Sequence, residues 1–242
     1  MVADDMNIAI IGASGTIGSA FVRLLAEREH TATIYAYSRH PVDFKQMNVI
    51  RHSIDIEQEQ SIQTAAAVLP DDQTFDIVII ASGILHYESL QPEKSLSDLS
   101  SQKFTKVFAI NTIGPALIAK YFLPRLNRKQ RSVFAALTAR VGSISDNQLG
   151  GWYAYRASKS ALNMILKNAS IEMARRNRMA IIVGLHPGTV ESELSKPFQK
   201  NVKPERLFTG EYSATKLLSV IEKLRIEDSG KIFAWDGQEI LP

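Results

Sequence analysis

Tyr155 and Lys159 stand four residues apart in a stretch that could do chemistry. On a helix, residues at this spacing project from one face, with Cβ atoms roughly 5–6 Å apart. An ammonium beside a phenol favours the ionised phenol and so lowers its pKa, which is about 10 in a free tyrosine. The pair predicts a tyrosine that exchanges protons near neutral pH. Because such pairs also occur by chance on solvated helix faces, the prediction depends on the elements around it.

A glycine-rich turn near the N-terminus could bind phosphate groups. Gly12, Gly15 and Gly18 follow the apolar run 7–11 and begin the amphipathic run 17–27. Gly12 would allow a tight turn, Gly15 would let the backbone approach a pyrophosphate, and Gly18 would let helix and strand pack closely. The helix N-terminus would add free N–H groups. The alternative is a connection with only a structural role.

Short apolar runs rich in β-forming residues alternate with helical patterns along the chain. These runs are 7–11, 33–37, 49–53, 75–81, 132–138, 180–186 and 231–235. Strands that are apolar along their whole length belong in a parallel sheet covered on both faces. The pattern predicts an α/β fold: a Rossmann-type, doubly wound parallel sheet of about seven strands with helices on both faces, in a single domain spanning 1–242. Residues 191–204 show neither period and predict a loop that could include a short helix and act as a lid over a substrate.

Composition limits the function classes. The chain has 242 residues, no cysteine, five scattered histidines and a formal net charge of +3. Cysteine-ligated zinc is excluded, and the histidines lack metal-ligand spacing, so we expect no metal. The charge is not gathered into a run, so nucleic-acid binding is a minor option. We expect no membrane span and, since Asp4 and Asp5 do not fit a signal peptide, a cytoplasmic protein.

The end of the second apolar run indicates which dinucleotide would bind. An acidic residue there would favour NAD through the adenosine ribose, but the chain has Ser38 and Arg39. Arg39 offers a planar fork to a 2′-phosphate, so NADP is favoured over NAD. The alternative is an arginine that is simply exposed at a turn.

Taken together, the chain resembles the short-chain dehydrogenase/reductase family over nearly its whole length. The family's motifs occur in order: the glycine turn, Asp55, Ala81-Ser82-Gly83, Asn111 within Asn-Thr-Ile-Gly, the Tyr155/Lys159 pair and Pro187-Gly188-Thr189-Val190. Longer phrases at 140–144, 146–147, 150–153 and 235–237 resemble the C-factor-like branch, which is named for a bacterial intercellular signalling protein.

This resemblance implies roles for individual residues. Lys159 would bind the nicotinamide ribose and lower the pKa of Tyr155, which would protonate the carbonyl oxygen. Asn111 would interrupt a helix and hold a water that links Lys159 to solvent, although a simple kink or cap would also explain it. Thr189 and the amide of Val190 would orient the carboxamide, although Thr189 could be an ordinary helix cap. The implied cofactor-binding residues are Gly12, Ser14, Gly15, Thr16, Ile17, Gly18, Ser38, Arg39, Asp55, Ile56, Ala81, Ser82, Gly83, Tyr155, Lys159, Pro187, Gly188, Thr189 and Val190.

Two features depart from the family pattern. The glycine spacing is commoner in the family's epimerase and dehydratase relatives, although the chain lacks their larger C-terminal substrate domain. The substrate-orienting serine aligns with Ala139, which cannot donate a hydrogen bond. Ser143 and Thr138 are the candidate substitutes. We prefer Ser143 for its spacing from Tyr155, and a turn serine bonded to its own backbone is the alternative.

The expected function is an NADP(H)-dependent reduction of an aldehyde, ketone or quinone to an alcohol. The alternative is a cofactor-binding regulatory or intercellular-signalling protein of C-factor type with little or no turnover, which Ala139 favours. His86, Tyr87, Trp152 and Phe198 are candidates for a substrate pocket that accepts a small apolar or aromatic carbonyl compound. The alternative for each of them is an ordinary core or surface position. The resemblance also implies a homodimer or homotetramer that packs through the helix of Tyr155, although the apolar residues of that helix are equally explained by packing against the sheet.

Overall fold

The computed structural model describes residues 6–40, 42–87 and 90–242, and the segment that carries Asp4 and Asp5 lies outside them. The strands are β1 (Asn7–Ile11), β2 (Thr33–Ser38), β3 (Val49–Ser53), β4 (Ile77–Ile80), β5 (Ser132–Leu137), β6 (Ala180–His186), β7 (Thr189–Val190), β8 (Leu207–Phe208) and β9 (Ile232–Ala234). The α-helices are α1 (Thr16–Arg28), α2 (Glu59–Ala66), α3 (Ser101–Phe108), α4 (Gly114–Phe122), α5 (Tyr153–Arg176) and α6 (Gly210–Lys223).

One parallel sheet of seven strands runs in the order β3-β2-β1-β4-β5-β6-β9. At its centre, Ile8–Ile11 of β1 pair with Ile77–Ile80 of β4. The strand order reverses between β1 and β4, and a crevice opens at the carboxyl ends of strands where such a reversal occurs. The predicted doubly wound α/β sheet is confirmed.

The alternation of side chains along the strands divides the interior into two cores. Ile8 and Ile10 of β1 face the layer of α1 and α6. Ala9 and Ile11 face the opposite layer, where α2, α4 and α5 pack. Because both faces are covered, the central strands are apolar at nearly every position, which is the pattern that made them recognisable.

A long helical stretch runs from α3 through a π-helical turn (Ala109–Ile113) into α4. The stretch Ser101–Arg125 is long and apolar enough to cross a bilayer by length and composition, but 56% of its most apolar window is buried inside the protein. Ile118 and Phe122 of α4 are fully buried in the core. Packing against the sheet therefore accounts for its apolar character.

The irregular segment predicted at 191–204 is closed at its base by a small ladder. Thr189 pairs with Leu207 and Val190 with Phe208, so β7 and β8 bring the two ends of the segment together. Between them lie the 3-10 turns Lys196–Asn201 and Pro204–Arg206, in agreement with a loop that includes a short helix. The ladder was not predicted, because strands of two residues have no detectable period.

Candidate active site

The glycine turn is fixed by close backbone packing. Gly12 has a left-handed backbone, with φ of 91°, and its N–H donates to Tyr37 O at 2.9 Å. A Cβ on Gly12 would lie 2.8 Å from Ser82 N, and a Cβ on Gly18 would lie 2.1 Å from Gly12 O. Gly15 is the N-cap of α1 and has no side chain to bond the first amides of the helix. Bare backbone and unbonded amides at one place suit a pyrophosphate.

A crevice of about 250 Å³ lies beside this turn. The predicted cofactor residues that line it are Gly12, Ser14, Gly15, Ser38, Arg39, Asp55, Ile56, Ala81, Ser82 and Gly83. Thr16 and Gly18 do not line it, and Gly18 instead packs beneath the turn. His40 and Glu57 also line the crevice but were not singled out from the sequence, since they belong to no motif. The one feature of the sequence that could have pointed to them is that each lies a few residues after the end of a strand.

A second cavity, of about 270 Å³, shares the Ala81–Gly83 wall with the crevice. The other predicted site residues that line it are Ile17, Tyr155, Lys159, Pro187, Gly188, Thr189 and Val190. We call this second space the catalytic cavity. At the shared wall the Ser82 hydroxyl is buried and has no hydrogen-bond partner in the described part of the chain. Because buried polar atoms are normally bonded, this orphaned hydroxyl fits a site that takes up a polar ligand such as a dinucleotide.

Tyr155 and Lys159 lie in the first two turns of α5, and both face the catalytic cavity. The Lys159 Nζ lies 5.8 Å from the centre of the Tyr155 ring and donates to Leu137 O at 2.9 Å. Burial raises the pKa of Tyr155 to about 12. Burial also lowers the pKa of Lys159 to about 8. The expected lowering of the phenol pKa by the lysine is therefore outweighed by burial here, and Tyr155 is protonated at neutral pH.

A buried glutamate holds the start of α5 in place. Glu93 is 2% exposed, and its Oε2 accepts from Ala154 N at 3.2 Å. Its main-chain carbonyl accepts from the N–H of Trp152, which has an unusual left-handed φ of 51°. A carboxylate at a helix N-terminus also complements the helix dipole. Glu93 thus fixes the turn that presents Tyr155, although no motif in the sequence marked it.

Asn111 lies in the π-helical turn between α3 and α4 and is fully buried. Its Oδ1 accepts from Ile84 N at 2.8 Å, and its Nδ2 donates to Ile84 O at 2.8 Å and to Ser158 Oγ at 3.2 Å. A Cβ on Gly83 would lie 3.3 Å from Asn111 Oδ1 and 3.5 Å from Lys159 Nζ. Asn111 therefore ties the shared wall to α5. The water-holding role assigned to it remains a prediction.

The two hydroxyls considered as substitutes for the missing serine are both engaged elsewhere. Ala139 lines the catalytic cavity, but Thr138 Oγ1 donates to Asn163 Oδ1 at 2.6 Å. Ser143 is 2% exposed, does not line the cavity, and accepts from Asp146 N at 3.1 Å. Ser143 is thus a turn serine bonded to nearby backbone, as the alternative interpretation expects. This geometry gives its predicted catalytic role no support.

Aromatic side chains form the outer end of the catalytic cavity. Trp152 and Phe198 line it, with ring centres 5.0 Å apart. His86 packs against Phe198 at 5.8 Å, and its Nε2 lies 2.9 Å from Glu193 O. Tyr87 is exposed and does not line the cavity. Across the described ranges, no group of three His, Asp or Glu side chains is arranged to hold a metal ion.

A doubly wound sheet, a glycine turn at its switch point and a tyrosine–lysine pair over the adjoining cavity define a Rossmann-type α/β oxidoreductase. The short chain dehydrogenase family model matches residues 6–203, and the chain belongs to this family, which uses NAD or NADP.

Individual relatives agree with this membership. The chain is 32% identical to C-signal of Myxococcus xanthus over 146 residues. The matched region covers 60% of this chain and 82% of that protein. It is 26% identical to an uncharacterized oxidoreductase of Schizosaccharomyces pombe, over 94% of both chains. The fold is similar to that of the NADPH-bound carbonyl reductase from chicken fatty liver, with a TM-score of 0.86, 23% identity, and coverage of 98% and 99% of the two chains. The predicted resemblance to the family and to its C-factor-like branch is confirmed.

Proposed function

We propose that the protein is an NADP(H)-dependent reductase that converts an aldehyde, ketone or quinone to an alcohol. The observation that carries this proposal is the shared wall, because it joins the glycine-turn crevice to the cavity that Tyr155 and Lys159 face. A dinucleotide that lies along both spaces would bring its nicotinamide to the tyrosine. The NADPH bound to the chicken carbonyl reductase supports the same arrangement by analogy of fold.

The residues at the crevice suit the cofactor's separate parts. The turn at Gly12 and Gly15 would hold the pyrophosphate, and Asp55 would contact the adenine. Arg39, exposed at the crevice, would bind the 2′-phosphate, with His40 beside it. In the adjoining cavity, Thr189 and the amide of Val190 would hold the carboxamide, and Ile17 would pack against the bound cofactor.

Tyr155 would act as the general acid. When bound, NADPH supplies a hydride to the carbonyl carbon, and the Tyr155 hydroxyl gives its proton to the carbonyl oxygen. The pKa of about 12 keeps this proton on the phenol until negative charge develops on the substrate oxygen. Lys159, whose pKa is lowered to about 8 by burial, would carry a positive charge below that pH and stabilise the phenolate that forms.

The cavity favours a carbonyl compound of apolar or aromatic character. The apolar residues that line it include Leu85, Leu137, Val141, Leu194 and Val202, in addition to Trp152 and Phe198. Such a lining contributes affinity through buried apolar area, while a few polar groups orient the reacting atoms.

A second candidate function is cofactor-dependent regulation or signalling without turnover. It is favoured by Ala139, which leaves the cavity without the serine hydroxyl, and by the identity shared with C-signal. A binding protein would take up NADPH but would not need the proton of Tyr155.

NADPH consumption tests the proposal. The purified protein should oxidise NADPH with members of a panel of aldehydes, ketones and quinones, and Tyr155→Phe should lower kcat by about 10²–10⁴-fold because the proton donor is lost. NADPH fluorescence titration should give the same Kd for both proteins. Full activity in the Tyr155→Phe variant would refute the proposed acid, whereas tight NADPH binding without turnover in the wild type would favour the regulatory function.

We also propose a cytoplasmic homodimer or homotetramer that packs through α5. On α5, Leu162 is buried in the intramolecular core, but Met164 and Ile171 are exposed and available for such a contact. Light scattering of the wild type and of Met164→Glu would test the assembly. A monomeric wild type would contradict it.

A further inference from the structure

The two hydroxyls nearest to Ala139 in the sequence, those of Thr138 and Ser143, are not available to bind a carbonyl oxygen in the catalytic cavity. Thr138 donates to a side chain of α5, and Ser143 lies in a turn outside the cavity. Ser192 and Ser195 line the cavity, but each donates to the same main-chain carbonyl. The unpartnered Ser82 hydroxyl lies at the wall shared with the crevice, where the proposed function places the cofactor. None of the four hydroxyls of Thr138, Ser143, Ser192 and Ser195 is thus left to bind the substrate oxygen opposite Tyr155.

His186 lines the same cavity as Tyr155 and is a candidate for such a partner. His186 is the last residue of β6 and lines the catalytic cavity. Leu185 accepts from Thr138 N at 2.8 Å, so His186 stands next to the Thr138–Ala139 peptide on the neighbouring strand. Paired strands are about 4.8 Å apart, which a side chain spans easily.

The direction of this side chain follows from the strand pleat. A Cβ on Gly184 would contact Thr138 Cγ2 at 3.0 Å and Leu166 Cδ1 at 3.4 Å, so this face of β6 points to α5. Residues two apart on a strand share a face, and His186 therefore points to α5 as well. Helix α5 directly precedes β6 in the chain and crosses the sheet in the opposite direction to it. The N-terminal turns of α5, which carry Tyr155, therefore lie at the carboxyl end of β6, where His186 is the last residue.

The His186 ring is uncharged at neutral pH, and one of its nitrogens is buried and unpartnered in the described part of the chain. Its Nδ1 is buried without a hydrogen-bond partner in the described residues. Burial, reinforced by the positive charge of Arg140, lowers its pKa to about 4, against the weaker opposing effects of Asp236 and Asp146. A neutral imidazole has one N–H, and keeping it on a buried, unpartnered Nδ1 is costly. The proton therefore belongs on Nε2.

We propose that His186 donates its Nε2–H to the carbonyl oxygen of the substrate, in place of the serine hydroxyl that Ala139 cannot supply. The inference rests on the proposed reductase function. The hydride goes to the carbonyl carbon and the proton to the oxygen comes from Tyr155, while His186 keeps its own proton and stabilises the charge that develops on the oxygen. It is thereby a catalytic residue of this chain.

Kinetics of His186 and Ala139 variants test the role. His186→Ala should lower kcat by about 100-fold with little change in KM, since the bond strengthens in the transition state. Adding Ala139→Ser should recover at least tenfold of this loss, because it restores a hydroxyl at the family's position. His186→Gln, which keeps an N–H donor, should retain more activity than His186→Ala. All variants should bind NADPH with the wild-type Kd.

A second histidine provides the matched control. His52 on β3 is also partly buried, has an Nε2 without a partner, and stacks on Tyr35 and Tyr37 away from the cavity. His52→Gln should leave kcat unchanged. Wild-type kcat in His186→Ala, or a loss that neither His186→Gln nor Ala139→Ser relieves, would overturn the inference while the Tyr155→Phe result still supports the reductase. A wild type without turnover would overturn both.

Discussion

The glycine-turn crevice and the catalytic cavity share the Ala81–Gly83 wall but are built in opposite ways. The crevice is lined mainly by residues at or just after the ends of β1, β2, β3 and β4, and Gly12, Gly15 and Gly83 bring main chain to its wall. The cavity is formed by side chains that reach in from α5, from the end of β6 and from the loop that β7 and β8 close. The crevice depends on backbone geometry, whereas the cavity depends on how separate elements are packed and charged.

The difference shows in how each region agrees with the family pattern. Most of the residues predicted for the crevice line it, and glycines fill positions where a Cβ would collide with backbone. In the cavity, the expected serine is absent and its preferred substitute lies in a turn. Backbone constraints leave little freedom for substitution, while a donor to a substrate oxygen can come from several directions.

Asn111 joins the two regions, so replacing it should give the largest effect. Asn111→Leu removes three hydrogen bonds and leaves the partly buried N–H and C=O of Ile84 without their partner. At about 1–3 kcal/mol for each unsatisfied group, the free energy of unfolding should fall by about 4 kcal/mol. Denaturant unfolding would measure the loss, and NADPH oxidation should fall as well.

Asn177→Leu is the control for this change. Asn177 is buried at the far end of α5, where it donates to Asn127 O at 3.0 Å and accepts from Met179 N at 3.1 Å. It should cost stability without lowering kcat in the folded fraction. Equal kcat in the two variants would show that Asn111 does not connect the regions functionally.

Gly18→Ala should alter the glycine-turn crevice and leave the catalytic cavity unchanged. The new Cβ would meet Gly12 O at 2.1 Å, so the turn must move, and overpacking of this kind costs up to about 3 kcal/mol. Gly15→Ala is the matched variant, since its Cβ would lie an ordinary 3.4 Å from Gly12 O. It should keep the melting temperature but weaken NADPH binding, because the methyl group obstructs the pyrophosphate. Unchanged NADPH affinity in Gly15→Ala would mean that the cofactor does not lie against the turn.

In the catalytic cavity, Lys159 should make the free energy of unfolding depend on pH. Its pKa is about 8 when folded and 10.5 when unfolded, so between these values the unfolded chain binds the proton more tightly. Stability should therefore rise from pH 8 to pH 10 by about 2 kcal/mol, at up to about 1.4 kcal/mol per pH unit. Above pH 10 the raised pKa of Tyr155 acts in the opposite direction.

Denaturant unfolding at pH 8, 9 and 10 would measure this rise. Lys159→Met should abolish it, and Lys167→Met, a change at an exposed lysine of the same helix, should preserve it. A wild-type curve that is flat across this range would contradict the low pKa of Lys159.

The smallest expected effect is on cofactor choice. Arg39→Ala removes the cation from the edge of the crevice and should raise the Kd for NADPH about tenfold, or about 1.4 kcal/mol, without changing the Kd for NADH. Arg51→Ala, an exposed arginine outside the crevice, should change neither. Titration with NADPH and with NADH would measure both Kd values. An equal rise in both would show that Arg39 does not bind the 2′-phosphate.

The sequence predicted the features that depend on neighbouring residues, and it did not predict those that depend on contacts between distant segments. The central strands were predicted because residues such as Ile77–Ile80 are buried on both faces, and the glycine turn because it directly joins β1 to α1. The roles of Glu93 and His186 could not be read in this way. Each depends on partners far away in the chain: Ala154 for the carboxylate, and the β5–β6 register for the imidazole.

By itself, the sequence determined the sheet, the glycine turn between β1 and α1 and the helix that places a lysine one turn after a tyrosine. These features depend on periodicity and on glycine stereochemistry within short segments. Only the tertiary structure decided the protonation of Tyr155 and Lys159, the loss of Ser143 from the cavity and the entry of His186 into it. The physical reason is that desolvation and hydrogen-bond partnership depend on which distant segments surround a group.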